Sequence, residues 1–88
     1  MIRLDGREMR TRGETHDYLQ RMLSLPEYYG RNLDALHDCL TDVGGPLEIE
    51  LVHVDVLMEN LGVYGKMLVR VFEDAAEENP EISIQMHA

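Results

Sequence analysis

Three carboxylates and a histidine between positions 34 and 42 set the chemistry this chain can offer. Asp34, Asp38 and Asp42 recur every four residues, so at about 100° per residue they fall within about 80° of one helical face. Leu33, Leu36, Cys39 and Leu40 take the opposite side, and His37 sits on the shoulder between. Ionised carboxylates only accept hydrogen bonds, so this face can receive the cationic or N–H-bearing groups of a partner. Two of the aspartates could instead coordinate a divalent cation through oxygen, although an open helix face makes a poor, exposed site. A third reading is an ordinary solvated acidic face. Like charges four residues apart cost an isolated helix about 0.2–0.5 kcal/mol per pair. Asp34 regains some of this at the positive end of the helix dipole, whereas Asp38 and Asp42, nearer the negative end, do not. The arrangement favours a partner over the free helix.

Just before this helix, Tyr28 and Tyr29 beside Gly30 put aromatic surface next to the acidic face. One ring is expected to anchor the loop in the core and the other to remain exposed. Asn32 has the side chain of an N-cap and should start the helix at Leu33.

Other chemistries find little support. His16, His37, His53 and His87 show no spacing suited to a metal or a catalytic triad and read mostly as surface residues. Cys39 is the one cysteine, which forbids an internal disulfide; on the inward arc of its helix it reads as a small buried hydrophobe. No cofactor and no metal are expected.

At 88 residues the chain makes one small domain, residues 1–88, and one core must serve all of it. Charge is uneven along it. Residues 1–21 hold five arginines against four carboxylates, whereas from Met22 onward only Arg31, Lys66 and Arg70 oppose 13 carboxylates, giving that part a net −10 within a total of −9. Such a field opposes a phosphate backbone or an anionic membrane and attracts cationic surfaces, so neither nucleic acid nor membrane is expected as a partner. The charged N-terminal stretch has no signal-peptide pattern, and no apolar run reaches about 20 residues. A cytoplasmic location is expected.

The elements that must position these groups follow from periodicity and punctuation. Ile2 to Asp5 alternate as a short strand ending at Asp5-Gly6. Thr11 and Glu14 match a capping box for a helix of about 12–24, stopped by Pro26. The acidic helix follows over 33–41. Gly44-Gly45-Pro46 turns the chain into a second strand at Leu47 to Val52, and Val54 to Leu61 reads as a short helix stopped near Gly62. A longer helix spans about 63–78, with Met67, Leu68, Val71, Phe72 and Ala75 as its inward stripe, and Asn79-Pro80 ends it. Ile82, Ile84 and Met86 alternate as a third strand. Strands separated by helices predict a parallel sheet, and their alternation leaves one sheet face wet, so an α/β fold of two layers is expected.

The run from Leu25 to Thr41, LPEYYGRNLDALHDCLT, resembles the signature segment of the barstar family, intracellular inhibitors of barnase-type secreted ribonucleases. The resemblance extends to Val71-Phe72-Glu73-Asp74-Ala75 and Ile82-Ser83-Ile84, and is loose over 43–66. It implies a barstar-like fold with a three-stranded parallel sheet and about four helices. It also implies that loop and second helix enter the nuclease active site, with Asp38 in the phosphate subsite against the catalytic arginines and histidine. On the same grounds Asp34 is a second acidic contact, Tyr28 packs on the catalytic histidine, Gly30 and Asn32 give backbone-level loop contacts, Thr41 closes the segment, and Asp74 is a peripheral contact one methylene shorter than the family's. The implied partner is a basic ribonuclease, exported or carried as a toxin domain, bound one to one by a monomer.

Three departures stand out. His37 replaces a large aromatic and sets a titratable group beside two aspartates. A second cysteine common near Pro80 is missing, and Asp42-Val43-Gly44-Gly45 replaces a bulkier turn. Two other classes of function remain open on the residues alone: a non-inhibitory acidic module binding another basic protein, and a small metal enzyme using Asp34 and Asp38.

Overall fold

The structure, a computed structural model, describes residues 1–88. In chain order the elements are β1 (Ile2–Asp5), α1 (Arg12–Met22), α2 (Leu33–Thr41), β2 (Leu47–Val52), α3 (Val54–Leu61), α4 (Val63–Glu78) and β3 (Ile82–Met86). One turn of 3-10 helix at Gly6–Glu8 follows β1. The three strands run parallel in the order β1-β2-β3.

Register explains why the molecule has two layers. Ile2, Ile49 and Ile84 align in one row and Leu4, Leu51 and Met86 in another, while Arg3, Glu50 and Gln85 form the row between. Because successive side chains point to opposite faces, the apolar rows share one face and the charged row the other. On the apolar side Leu4, Ile49, Leu51 and Ile82 join Leu19, Leu36, Leu57, Leu68 and Phe72 from the four α-helices in one buried cluster. Burying each such side chain contributes about 1.5–3 kcal/mol. The other face stays wet, and there Glu50 accepts from Arg3 Nε at 2.9 Å and lies 3.2 Å from His87 Nε2.

The strand ends converge closely. A Cβ on buried Gly6 would stand 2.2 Å from the carbonyl oxygen of His53, so no side chain fits where the chain leaving β1 passes the chain leaving β2. His53 itself takes a left-handed conformation, φ 54°, before α3 begins.

Two local readings need correction. The first helix ends at Met22, two residues short of expectation, because Ser24 adopts φ 53° and the Leu25 N–H bonds back to the Gln20 carbonyl at 3.0 Å. This is a Schellman closure with serine in the place glycine usually takes. At the other end of α1, Thr11 Oγ1 accepts from the Glu14 N–H at 3.1 Å, but Glu14 turns to Arg10 rather than back to the cap.

The second correction concerns α4. Its buried stripe is Gly65, Leu68, Val69, Phe72 and Ala75, whereas Met67 is 51% exposed and Val71 half-buried. Gly65 turns the helix: a Cβ there would stand 3.0 Å from the Leu57 carbonyl oxygen, so α3 and α4 meet backbone to backbone. Counting only large apolar residues misses that contact and rotates the stripe. Met67, with Leu33 and Val63, instead lines a shallow groove beside α2 whose rim carries Lys66 and Arg70.

Candidate partner-binding surface

α2 is braced at both ends, which is what allows it to carry unpaired charge. At its start Asn32 caps it, Oδ1 accepting from the Ala35 N–H at 2.7 Å while Nδ2 donates to the Gly30 carbonyl at 3.2 Å. At its end the terminal carbonyls of any helix lack partners within it. Here the buried Asn79, just past α4, supplies one amide whose two hydrogens are shared among the carbonyls of Leu40, Thr41 and Val43 at 3.1, 3.4 and 3.2 Å. Leu36 and Leu40 bury the inner face. Cys39 is only half-buried, a modest departure from the fully inward position expected. Its thiol is pushed up by desolvation and then by Asp38 and Asp42, which leaves it a poor nucleophile.

The outer face carries what periodicity placed there. The Asp38 side chain is 86% exposed, and Asp34 and Asp42 are exposed with it. Before them, Tyr28 is 87% exposed and borders a surface depression with Cys39 and Asp42, while Tyr29 is 4% exposed. One ring is packed and the other free, as expected. Gly30 is exposed at the loop's turn.

Not every expected side chain is free to meet a partner. The Asn32 amide is consumed by the cap and the Gly30 carbonyl. Thr41 is half-buried, and its hydroxyl donates to the His37 carbonyl at 2.9 Å. His37 is half-buried and donates through Nε2 to Glu78 on α4. Asp74 belongs to α4, which packs on α2, and its Oδ1 lies 3.8 Å from Arg70 Nε.

A family model described as Barstar (barnase inhibitor) matches residues 1–88. The chain belongs to the barstar family. A protein of Bacillus subtilis (strain 168) named "Putative ribonuclease inhibitor YrdF" is 42% identical over 78 residues, covering 88% of this chain and 86% of that protein. Barstar membership places the chain among inhibitors rather than enzymes, and the three parallel strands with four α-helices agree with it. No helix is long and apolar enough to cross a membrane.

Beneath the loop lies a histidine that is buried, against the surface position expected for it. His16 on α1 is 2% exposed, and its ring is hydrogen-bonded at both nitrogens, Nδ1 to the Tyr29 hydroxyl and Nε2 to the Tyr64 hydroxyl, each at 2.6 Å. A neutral imidazole has one donor and one acceptor, so one tyrosine gives a proton and the other receives one. This chain of three rings ties the loop to α4 through α1. The only hint in the sequence is that His16 and Leu19 share the spacing of an inward stripe. Arg31 adds a second tie: its backbone sits at φ 56°, and its guanidinium binds Asp17 and donates to the Gly13 carbonyl at 3.3 Å. Asp17 is held below the usual carboxylate range by that guanidinium.

Burial lowers the pKa of His16 below the ordinary imidazole value; Arg31 deepens the shift and Asp17 opposes it. The unfolded chain therefore takes up the proton first. The stabilisation is complete above about pH 6.5 and is lost as pH falls from there through the lower folded value, at up to about 1.4 kcal/mol per pH unit. Thermal midpoints measured from pH 7.5 to 5 should fall more steeply for the native chain than for His16→Gln, which cannot titrate.

Proposed function

We propose that this barstar-family protein inhibits a barnase-type ribonuclease by placing the loop at Tyr28 to Asn32 and the outer face of α2 in the enzyme's active-site cleft. Asp38 takes the phosphate subsite, where its two oxygens accept from the catalytic arginines as a scissile phosphate would. Asp34, one turn earlier, meets a second cation, and Tyr28 lays its ring on the catalytic histidine. Gly30 keeps the loop slim at the contact, Asn32 presents its backbone, His37 and Thr41 form the edge, and Asp74 reaches the enzyme from α4. The partner is a basic ribonuclease, exported or borne as a toxin domain, held one to one in the cytoplasm by a monomeric inhibitor.

The observation that carries this reading is a pair of exposed carboxylates one turn apart on a helix pinned at both ends, with an exposed tyrosine beside them. A helix whose like charges disfavour it in isolation, yet which is rigidly supported, is built for a cationic counterpart. Preorganisation removes the cost of ordering the loop on binding. The field of the segment beyond Met22 supplies long-range attraction, which salt should screen.

Titrating purified barnase with the protein while following RNA cleavage tests this. Activity should fall linearly to zero at one equivalent, and the association rate should drop as salt is raised. Binding that leaves cleavage intact would contradict the proposal and favour a non-inhibitory acidic module.

A further inference from the structure

His37 stands one residue before Asp38, and acids face its ring from two helices. Nε2 donates to Oε2 of Glu78, the last residue of α4, and Nδ1 lies 3.9 Å from Oδ1 of Asp38. With Nε2 carrying the hydrogen, a neutral ring turns a lone pair toward the Asp38 carboxylate, and only the doubly protonated ring offers a hydrogen to both acids. Asp34 lies one turn back on α2. On α4, Asp74 lies one turn before Glu78, with Arg70 paired to it at 3.8 Å, and Glu81 follows beyond the helix end. From Val71 to Glu81 no cation intervenes.

We propose that Glu78 is a positioning residue of the partner surface acting through His37: it holds the imidazole beside Asp38 so that ribonuclease binding expels a proton from the ring and the complex loosens on acidification. The proposal rests on the reading above, that Asp38 enters a cationic cleft. In the free protein an imidazolium has a carboxylate on each side, Glu78 at Nε2 and Asp38 3.9 Å from Nδ1. In the complex the enzyme's arginines engage Asp38 and bring positive charge toward the same ring, so a charged His37 is penalised there. Affinity and protonation are then linked, each opposing the other. A large aromatic at this position has no proton to exchange, so the histidine is what couples inhibition to pH.

The test is calorimetric titration of barnase with the native chain, His37→Gln and Glu78→Gln from pH 8 to 5.5, in two buffers of different ionisation enthalpy, with circular dichroism confirming that each remains folded. Titrating groups of barnase, and His16, are common to all three series, so the differences report His37. Between pH 8 and 5.5 the native complex should weaken by about tenfold more than that of His37→Gln and release a proton that the variant does not. Glu78→Gln keeps an amide oxygen for Nε2 but removes the charge, and its profile should fall between the other two. Identical pH profiles and equal proton release in all three would overturn the inference while leaving the ribonuclease reading intact. A native chain that fails to bind barnase tightly at pH 8 would overturn both.

Discussion

Asp38→Ala should abolish tight inhibition of barnase, weakening the complex by about a thousandfold or more, while the free protein melts no lower than before. Interface hot spots reach about 4–8 kcal/mol, and the central aspartate of this family's own nuclease complex is the known example near the top of that range. Much of such a loss comes from leaving the enzyme's arginines desolvated without a partner. The fold should not suffer, because the Asp38 side chain is almost fully exposed and the one ionisable partner within 4 Å, His37 Nδ1, is 3.9 Å away. Alanine is also a better helix former and relieves the repulsion with Asp34 and Asp42, so stability should stay level or rise by about 0.5 kcal/mol. Inhibition constants beside thermal midpoints check both halves. A variant of native affinity would remove Asp38 from its proposed place.

Leu36→Ala, two residues earlier on the same helix, should do the reverse. Leu36 is fully buried between α2 and the rest of the core, and truncating such a leucine costs about 2–5 kcal/mol. Against a total of about 4–13 kcal/mol for a chain this long, that is a large share. The thermal midpoint should fall by about 10 °C or more. The acidic face stays intact in the folded molecules, so one equivalent should still silence barnase, and added enzyme should raise the midpoint by mass action. Chemical denaturation and the activity endpoint measure the two effects separately. Together the variants divide α2 into a face that binds and a face that folds.

Local signals made much of this legible in the sequence. Asn32 marks the start of α2, the four-residue recurrence of aspartates places them on one side, and alternation in all three strands foretells a single wet sheet face. What escaped depends on partners far away in the chain. His16 gives no local sign that hydroxyls 13 and 48 residues onward will satisfy both its nitrogens. Asn79 reads as a helix stop, yet its amide closes α2 some 36 to 39 residues back. Glu78 looks like one acid among many until α4 brings it to His37. Gly65 adds nothing to an apolar count, yet its missing side chain decides which way α4 turns. Left-handed Ser24 and Arg31 likewise follow from closures around them rather than from residue type.

If one acidic, helix-borne surface fills the catalytic cleft of a ribonuclease, that surface should report the binding. Backbone amide shifts of the labelled protein, followed by NMR as barnase is added, show where contact is made. The largest changes should cluster at residues 28–42, with a smaller set from Asp74 to Glu78, and reach saturation at one equivalent. Changes centred on the outer sheet face around Arg3, Glu50 and Gln85, with residues 28–42 unmoved, would contradict it.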